Sequence, residues 1–376
     1  MAFIQKTNDT QTDLQMIDLR GVQKIFKSAA GDFQALKGID LNIRSGEFVS
    51  IIGKSGSGKS TLLNMITGID RPTIGEVNVN GSAIHKMNEN QLAIWRGDNM
   101  GIIFQFFQLL PSLSLLQNVI LPMDLSGKYR PRERRERAEH LLDIVGLSDH
   151  KLKLPSMVSG GQQQRAAMAR AIANDPPIVI ADEPTGNLDS KTAETVFGLF
   201  NDLVTQGKTV IIVTHDSSLA KRTHRTALIA DGEIVNEYVA KAMPTLTSDQ
   251  LLAATHKFKP RHYDAGAMIL VEGKNSDAFY IVSKGTVDVI LPRPNQSDVI
   301  ALELSPGKFF GEMEFFHDHR NKASIRACES CDVELLTIGY DQLNELLSQS
   351  EATREALHQA ADLHERENIE QREEKV

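Results

Sequence analysis

The chain has 376 residues, 41% hydrophobic and 24% charged, with a net charge of −8, which predicts two or three domains of ordinary globular composition. The acidic balance argues against nucleic acid as the main partner. No apolar run reaches the ~18 residues of a membrane-spanning helix, and the residues before Gln15 lack the apolar core of a signal peptide. The presence of only two cysteines fits a reducing compartment. We therefore expect a cytoplasmic protein.

The stretch from Gly53 to Ser60 matches the phosphate-binding pattern GxxxxGK(S/T). Residues 47–52 before it read as a buried strand, and residues 61–66 after it read as the start of a helix. This context directs backbone N–H groups and a helix N-terminus toward a phosphate, with the Lys59 ammonium on the β- and γ-phosphates and the Ser60 hydroxyl on Mg²⁺. The sequence therefore predicts a nucleoside triphosphate site made of Gly53, Ser55, Gly56, Gly58, Lys59, Ser60 and Thr61.

Two later apolar runs also end in polar side chains. Residues 177–181 lead to Asp182 and Glu183, and residues 208–214 lead to His215. We expect Asp182 to hold the Mg²⁺ hydration shell, Glu183 to orient and polarise the attacking water, and His215 to contact the γ-phosphate. Repeated alternation of strands and helices predicts an α/β P-loop ATPase domain with a mostly parallel sheet, and alternating residues over 16–50 predict an antiparallel part.

A further stretch, Ser159 to Gln162, reads Ser-Gly-Gly-Gln and precedes a predicted helix over residues 166–173. Together with the motifs above, it resembles the signature of ABC-transporter ATPases, and the resemblance covers residues 15–240. Gln105 resembles the Q-loop glutamine of that family, which implies a place beside the metal with Ser60 and Asp182. Leu188-Asp189 resembles its D-loop.

The resemblance implies a homodimer whose ATPase domains pair head to tail. The signature of one subunit closes on the ATP held by the phosphate loop of the other, because N–H groups at a helix N-terminus attract anions. The signature positions are Ser159, Gly160, Gly161 and Gln162, with Asp189 beside them. By residue type alone, Phe26 and Phe33 are both candidates for the core or for stacking on adenine; the family pattern selects Phe26.

A narrower resemblance comes from residues 104–119 and from Asp182 to Asp189. It is similar to the ATPases of lipoprotein release, macrolide or peptide export, and cell-division signalling, which attach to membrane permeases. The resemblance implies a peripheral subunit on the inner face of the cell membrane that powers a separate permease. The competing interpretation is a soluble ABC ATPase without a transporter, acting as a cyclic-nucleotide-responsive sensor.

Residues 128–137 form a mixed-charge run that enters a predicted helix over 138–145. A nucleic-acid-binding patch is one interpretation. The interleaved glutamates favour the other, in which ion pairs four residues apart stabilise a solvated helix face. We therefore expect no nucleic-acid partner.

The ATPase motifs stop near residue 240. Residues 241–256 read as a linker with a short helix, and residues 257–339 contain short strands separated by turn signals, which predict a small β-barrel or jelly roll. The strands are expected at 268–271, 278–282, 286–291, 299–304 and 333–338. Residues 340–376 read as a C-terminal helix and a charged tail.

Residues 263–287 and the tripeptide Phe310-Gly-Glu312 resemble cyclic-nucleotide-binding domains. In that family the Glu accepts from the ribose 2′-OH, and a later Arg pairs with the cyclic phosphate. Here Asn321 occupies the arginine position, and Glu314 adds negative charge. This departure favours a regulatory module that interacts or dimerises over one that binds a cyclic nucleotide. The candidate ligand positions are Gly311, Glu312, Arg320, Asn321, Lys322 and Ser324.

Overall fold

The computed structural model describes residues 15–29, 31–186, 188–291 and 299–373. These residues form two compact units, one ending at Ile234 and one beginning at Val235. The division falls close to the predicted end of the first domain at residue 240. Asn187, within the motif from Asp182 to Asp189, lies outside the described residues.

The first unit contains ten strands and seven helices among its described residues. The strands are β1 (Gln15–Phe26), β2 (Phe33–Arg44), β3 (Phe48–Ile52), β4 (Ile74–Val79), β5 (Ser82–Ala83), β6 (Met100–Ile103), β7 (Ile178–Asp182), β8 (Thr209–Thr214), β9 (Arg225–Ala230) and β10 (Glu233–Ile234). The helices are α1 (Lys59–Thr67), α2 (Glu89–Asn99), α3 (Leu115–Ser126), α4 (Pro131–Ile144), α5 (Gly160–Ala171), α6 (Ser190–Thr205) and α7 (Ser217–Ala220).

A six-stranded sheet forms the centre of this unit, in the order β10-β9-β3-β8-β7-β6. The pairs from β9 to β6 are parallel, and β10 pairs antiparallel with β9. Every residue of β8 is buried, as expected for a parallel strand that is covered on both faces. The predicted parallel sheet is confirmed. Its register brings the segments that follow β3, β6, β7 and β8 to one edge.

The predicted antiparallel strands over residues 16–50 form a second sheet, in the order β2-β1-β4-β5. Three helices, α3, α4 and α5, pack on one another around buried apolar side chains that include Leu116, Val119 and Leu142. The mixed-charge run lies in α4, where Arg132 pairs with Glu136 at 2.8 Å. The interpretation of this run as a salt-bridged helix face is confirmed.

The second unit has eight strands and five helices among its described residues. Its strands are β11 (Lys259–Tyr263), β12 (Met268–Leu270), β13 (Ala278–Lys284), β14 (Val287–Leu291), β15 (Val299–Leu304), β16 (Phe309–Phe310), β17 (Ser324–Ala327) and β18 (Val333–Gly339). Its helices are α8 (Glu237–Ala242), α9 (Ser248–Lys257), α10 (Glu312–Phe316), α11 (Tyr340–Ser348) and α12 (Glu351–Glu373).

These strands form two antiparallel sheets, β11-β18-β13-β16 and β12-β17-β14-β15. The predicted jelly roll is confirmed in this two-sheet form, and within the described ranges the sheets do not join into one closed barrel. Between them lies a core of buried apolar side chains that includes Val282, Val287, Ile325 and Leu335.

The predicted C-terminal helix is divided into α11 and α12. The break falls at Gln349 and Ser350, where the Ser350 hydroxyl accepts a hydrogen bond from the N–H of Thr353 at 3.4 Å. A serine in this position starts a new helix because it satisfies a backbone donor of the first turn. Leu357 and Ala361 of α12 are buried, so this helix is part of the packed unit.

Candidate functional site

The phosphate loop connects β3 to α1. Gly58 caps α1 with a φ of 103°, and a Cβ atom on it would lie 2.7 Å from the carbonyl oxygen of Ala35. Both the dihedral angle and the close approach require glycine here. The Lys59 ammonium donates to the carbonyl oxygens of Gly53 and Lys54, both at 2.8 Å, so its side chain lies over the loop.

A cleft of about 500 Å³ lies in front of this loop. That volume is within the range of roughly 300–1,000 Å³ of small-molecule sites. Parallel strand pairing brings together residues that are far apart in sequence, and the sequence-predicted residues along the cleft are Ser55, Gly56, Gly58, Lys59, Ser60, Thr61, Gln105, Asp182, Glu183 and His215. Gly53 is not among the residues that line the cleft, but its carbonyl oxygen accepts a hydrogen bond from the Lys59 ammonium.

Asp182 is the half-buried carboxylate at the end of β7. Burial raises its pKa, the negative charge of Glu183 raises it further, and the Lys59 ammonium opposes both effects. Burial disfavours the charged form of a carboxylate, and a cation bound beside it stabilises that form again. Together with the Ser60 hydroxyl and the Gln105 amide it offers the oxygen ligands that Mg²⁺ prefers, so the residues present fit this ion.

Glu183 has a left-handed backbone, with a φ of 47°. Its N–H donates to the carbonyl of Val213 on β8 at 2.8 Å, and its carboxylate lies 2.9 Å from Nδ1 of His215. Uncommon dihedrals in non-glycine residues concentrate at active sites, where surrounding contacts hold them. Here two contacts with the end of β8 fix the direction of the Glu183 carboxylate.

The two candidate aromatic residues face each other across β1 and β2, since Phe26 is the register partner of Phe33. Phe33 lies along the cleft and 62% of its surface is exposed. Phe26 is not among the residues that line this cleft, and the Lys24 ammonium lies 5.0 Å from its ring centre. Stacking of Phe26 on adenine stays a prediction, and the structure adds Phe33 and Ala35 to the site.

The signature residues lie apart from the cleft, at the start of α5. Ser159 caps this helix, and its hydroxyl accepts from the N–H of Gln162 at 3.3 Å while the Gln162 side chain accepts from the Ser159 N–H at 2.9 Å. This capping box explains why α5 begins at Gly160 instead of at the predicted residue 166. Ser159 and Gly160 are exposed, so the helix N-terminus is open to an anion.

Asp189 lies next to the signature. It caps α6 and accepts from the N–H and the hydroxyl of Thr192, at 3.0 and 2.7 Å. A Cβ atom on Gly161 would lie 2.8 Å from the methyl group of the same threonine. The first turns of α5 and α6 therefore share one contact point, and their roles toward a second subunit stay predictions.

Two of the six candidate ligand residues of the second unit line a common cavity, and the other four do not. Gly311 and Glu312 line a small cavity. Asn321 is buried and donates to the carbonyl of Val271 at 2.9 Å, and the Lys322 ammonium lies 3.1 Å from Asp318. The remaining two make backbone-mediated contacts, since the N–H of Arg320 donates to Asp318 and the Ser324 hydroxyl accepts from the N–H of Glu272.

Comparison with known protein families gives two matches. Residues 36–186 match the family described as ABC transporter, and residues 260–350 match the cyclic nucleotide-binding domain.

Similar proteins are found among bacterial ATP-binding subunits. The ABC transporter ATP-binding protein YknY of Bacillus subtilis is 47% identical over 220 residues, which are 58% of this chain and 95% of YknY. The lipoprotein-releasing system ATP-binding protein LolD of Aquifex aeolicus is 45% identical over 222 residues, 59% of this chain and 98% of LolD. The macrolide export ATP-binding/permease protein MacB of Pectobacterium atrosepticum is 35% identical over 346 residues, 86% of this chain but 52% of MacB.

Two solved structures support the same relationship. The dimeric structure of MJ0796, a bacterial ABC transporter cassette, is 45% identical and has a TM-score of 0.57, covering 59% of this chain and 97% of that chain. A dimeric post-hydrolysis state of MJ0796 bound to ADP and Pi is 44% identical, with the same TM-score of 0.57 and the same coverage.

The close approach at Gly58 gives a stability test. Gly58→Ala places a methyl group against a backbone carbonyl and should lower the free energy of unfolding by about 2 kcal/mol or more. The matched control is Gly56→Ala, which also has a positive φ, of 79°, but meets no atom within 4 Å. Urea unfolding of both variants measures the difference, and equal losses would contradict the steric argument.

Proposed function

Because this chain belongs to the family of ABC transporter ATP-binding proteins, we propose that it supplies energy to a membrane permease formed by a separate chain. It hydrolyses ATP, as its homologues do, and the observation that carries the proposal is the cleft that gathers Lys59, Gln105, Asp182, Glu183 and His215. Export, lipoprotein extraction and transmission of mechanical force to the far side of the membrane are the outputs that fit a LolD- or MacB-like subunit.

In the proposed mechanism, the phosphate loop binds the triphosphate through its N–H groups, and Lys59 leaves its two carbonyl partners to contact the β- and γ-phosphates. Ser60, Gln105 and Asp182 would hold Mg²⁺, and the bound ion would neutralise charge on the phosphates. Glu183 orients and polarises the attacking water, and His215 contacts the γ-phosphate and keeps the Glu183 carboxylate in place.

The exposed start of α5 supports head-to-tail pairing of two subunits. Ser159 and the N–H groups of Gly160 and Gly161 form an anion site that lies outside the cleft of their own chain, so a phosphate of the partner's ATP would complete it. Asp189 lies at the same surface. In this proposal hydrolysis requires two copies of the chain. The second unit regulates the pair or stabilises it.

Glu183→Gln tests the chemistry. It removes the base while keeping the shape of the side chain, so ATP should still bind, hydrolysis should fall by about 100-fold or more, and ATP should trap a dimer. Phosphate release and sedimentation velocity measure the two effects. The control is Glu194→Gln, which removes an exposed carboxylate paired with Arg222 at 2.6 Å. ATP turnover by Glu183→Gln at the parent rate would show that another group activates the water.

An apolar groove between α2 and α3 supports the proposal that the chain binds a permease. Its volume is about 460 Å³, and its lining includes Ile94, Leu121, Pro122 and Leu125. Ile94 is 71% and Leu125 is 81% exposed. Exposed apolar side chains around a groove mark interaction sites. We propose that a segment of the permease at the inner membrane face docks in this groove. Among the helices that the structure describes, none combines the length and the apolar composition of a membrane span.

Leu125→Asp tests the groove, because a charge there opposes docking of an apolar segment. The fraction of the chain that sediments with native membranes should fall about tenfold, while ATP hydrolysis by the purified chain should change less than about twofold. The control is Leu152→Asp, at another exposed leucine (72% exposed). Unchanged membrane association of Leu125→Asp would place the permease contact elsewhere, and mass spectrometry of the co-purified membrane protein identifies the partner.

Regulation by a cyclic nucleotide receives little support from the second unit. Asn321, at the position expected for the phosphate-binding arginine, is buried and engaged with the Val271 carbonyl. The Lys322 ammonium is paired with Asp318. We therefore propose that this unit stabilises the dimer or responds to a different ligand.

A further inference from the structure

The second unit contains a cavity of about 50 Å³. Apolar side chains of the sheet β12-β17-β14-β15 form one wall, and α10 and α12 form another; Val289, Leu302 and Ile325 belong to the first wall and His364 to the second. A buried water requires about 10–15 Å³, so this cavity has room for about three or four waters. A cyclic nucleotide requires a far larger site, in the range of roughly 300–1,000 Å³.

Two carboxylates from α10 line this cavity and are almost completely buried. Glu312 is 1% exposed and Glu314 is 3% exposed. One oxygen of each has a partner: Oε1 of Glu312 lies 2.7 Å from Nδ1 of His364, and Oε1 of Glu314 accepts from the N–H of Lys322 at 2.9 Å. The other oxygen of each, Oε2, has no hydrogen-bond partner among the described residues.

The charges along the cavity do not balance. Of the described residues that line it, His364 is the only one that can carry a positive charge, and no lysine or arginine contributes. Glu312 is the hydrogen-bond partner of His364, and this hydrogen bond raises the pKa of His364, which favours the imidazolium. Glu314 has no cationic partner in the lining, and burial raises its pKa. Burying a carboxylate whose oxygen has no hydrogen-bond partner costs folding free energy, unless a proton or a cation binds to that oxygen.

We propose that this cavity is a binding site for a small organic monocation, such as a short alkylammonium ion. Its N–H groups donate to the unpartnered oxygens of Glu312 and Glu314, and its alkyl group contacts the apolar wall. One positive charge balances the two buried carboxylates and one imidazolium, since the third carboxylate of the lining, that of Glu367, is exposed to solvent. An anionic ligand of the same size faces two carboxylates and is repelled. Binding of this cation requires no particular role for ATP hydrolysis.

Protons compete with the cation for Glu314. The charged groups that face this carboxyl are Glu312 and Lys322, with Tyr340 as a further titratable group; those that face His364 are Glu312, Glu367 and Lys308. As pH falls through the raised pKa of Glu314, its carboxylate is neutralised and the cation loses a partner. Cation affinity should therefore rise with pH, whereas the affinity of an anion should fall.

The experiment uses the full chain and methylammonium, followed by saturation-transfer NMR of the methyl signal. Methylammonium should bind at one site that ethylammonium competes for, more tightly at pH 8 than at pH 5. Glu314→Gln and Glu312→Gln should each weaken binding by about tenfold to a hundredfold. The matched control, Glu367→Gln, removes an exposed carboxylate at the same cavity and should change affinity less than about threefold.

Ala323→Val provides a second variant in case a glutamine variant fails to fold, because it fills the cavity and keeps both carboxylates. It should also abolish binding. Absence of saturation transfer in the parent chain overturns the proposal, as does equal binding by the parent and Glu314→Gln, or competition by cyclic AMP. ATP hydrolysis measured on the same samples reports on the other unit, so failure of this inference is distinguishable from failure of the proposed transport function.

Discussion

Parallel pairing of β3, β8 and β7 is the constraint on which the nucleotide site depends. Because each strand runs in the same direction, the segments after them leave at one edge, and the phosphate loop, His215 and Asp182 meet there. Buried apolar side chains such as Ile51, Ile180 and Val213 hold this register. A slip by one residue would exchange the two faces of a strand, so packing of side chains outside the cleft lining determines the positions of the polar groups within it.

Local motifs made the first unit largely predictable from sequence. The phosphate loop and the carboxylates after β7 depend on short patterns with a definite strand or helix beside them, and both lie where they were expected. The start of α5 was missed because the capping box of Ser159 and Gln162 extends a helix into a glycine-rich segment. The position of Phe33 along the cleft could not be predicted from sequence, because it depends on the pairing of β1 with β2, which the pattern of one strand does not contain.

In the second unit the fold could be predicted better than the contacts of individual residues. Turn spacing and resemblance predicted its jelly roll, yet β11 was missed because four of its five residues are exposed and carry no apolar alternation. The contact between Glu312 and His364 could not be predicted from sequence, since His364 lies on a helix 52 residues later. Buried charge depends on such long-range contacts, whereas strand and turn patterns depend on neighbours along the chain.

The two hydrogen bonds of Lys59 have a consequence for nucleotide affinity. Its ammonium donates to the carbonyl oxygens of Gly53 and Lys54, so contact with a phosphate exchanges these partners, and the net gain in free energy is smaller than that of a new charged contact. The same bonds tie the Lys59 side chain to the loop backbone and restrict its rotamers, which reduces the entropy cost of ordering it on binding. The lysine thus limits the strength of nucleotide binding while it preserves a ready site, a balance that suits a subunit which must release its product in every cycle.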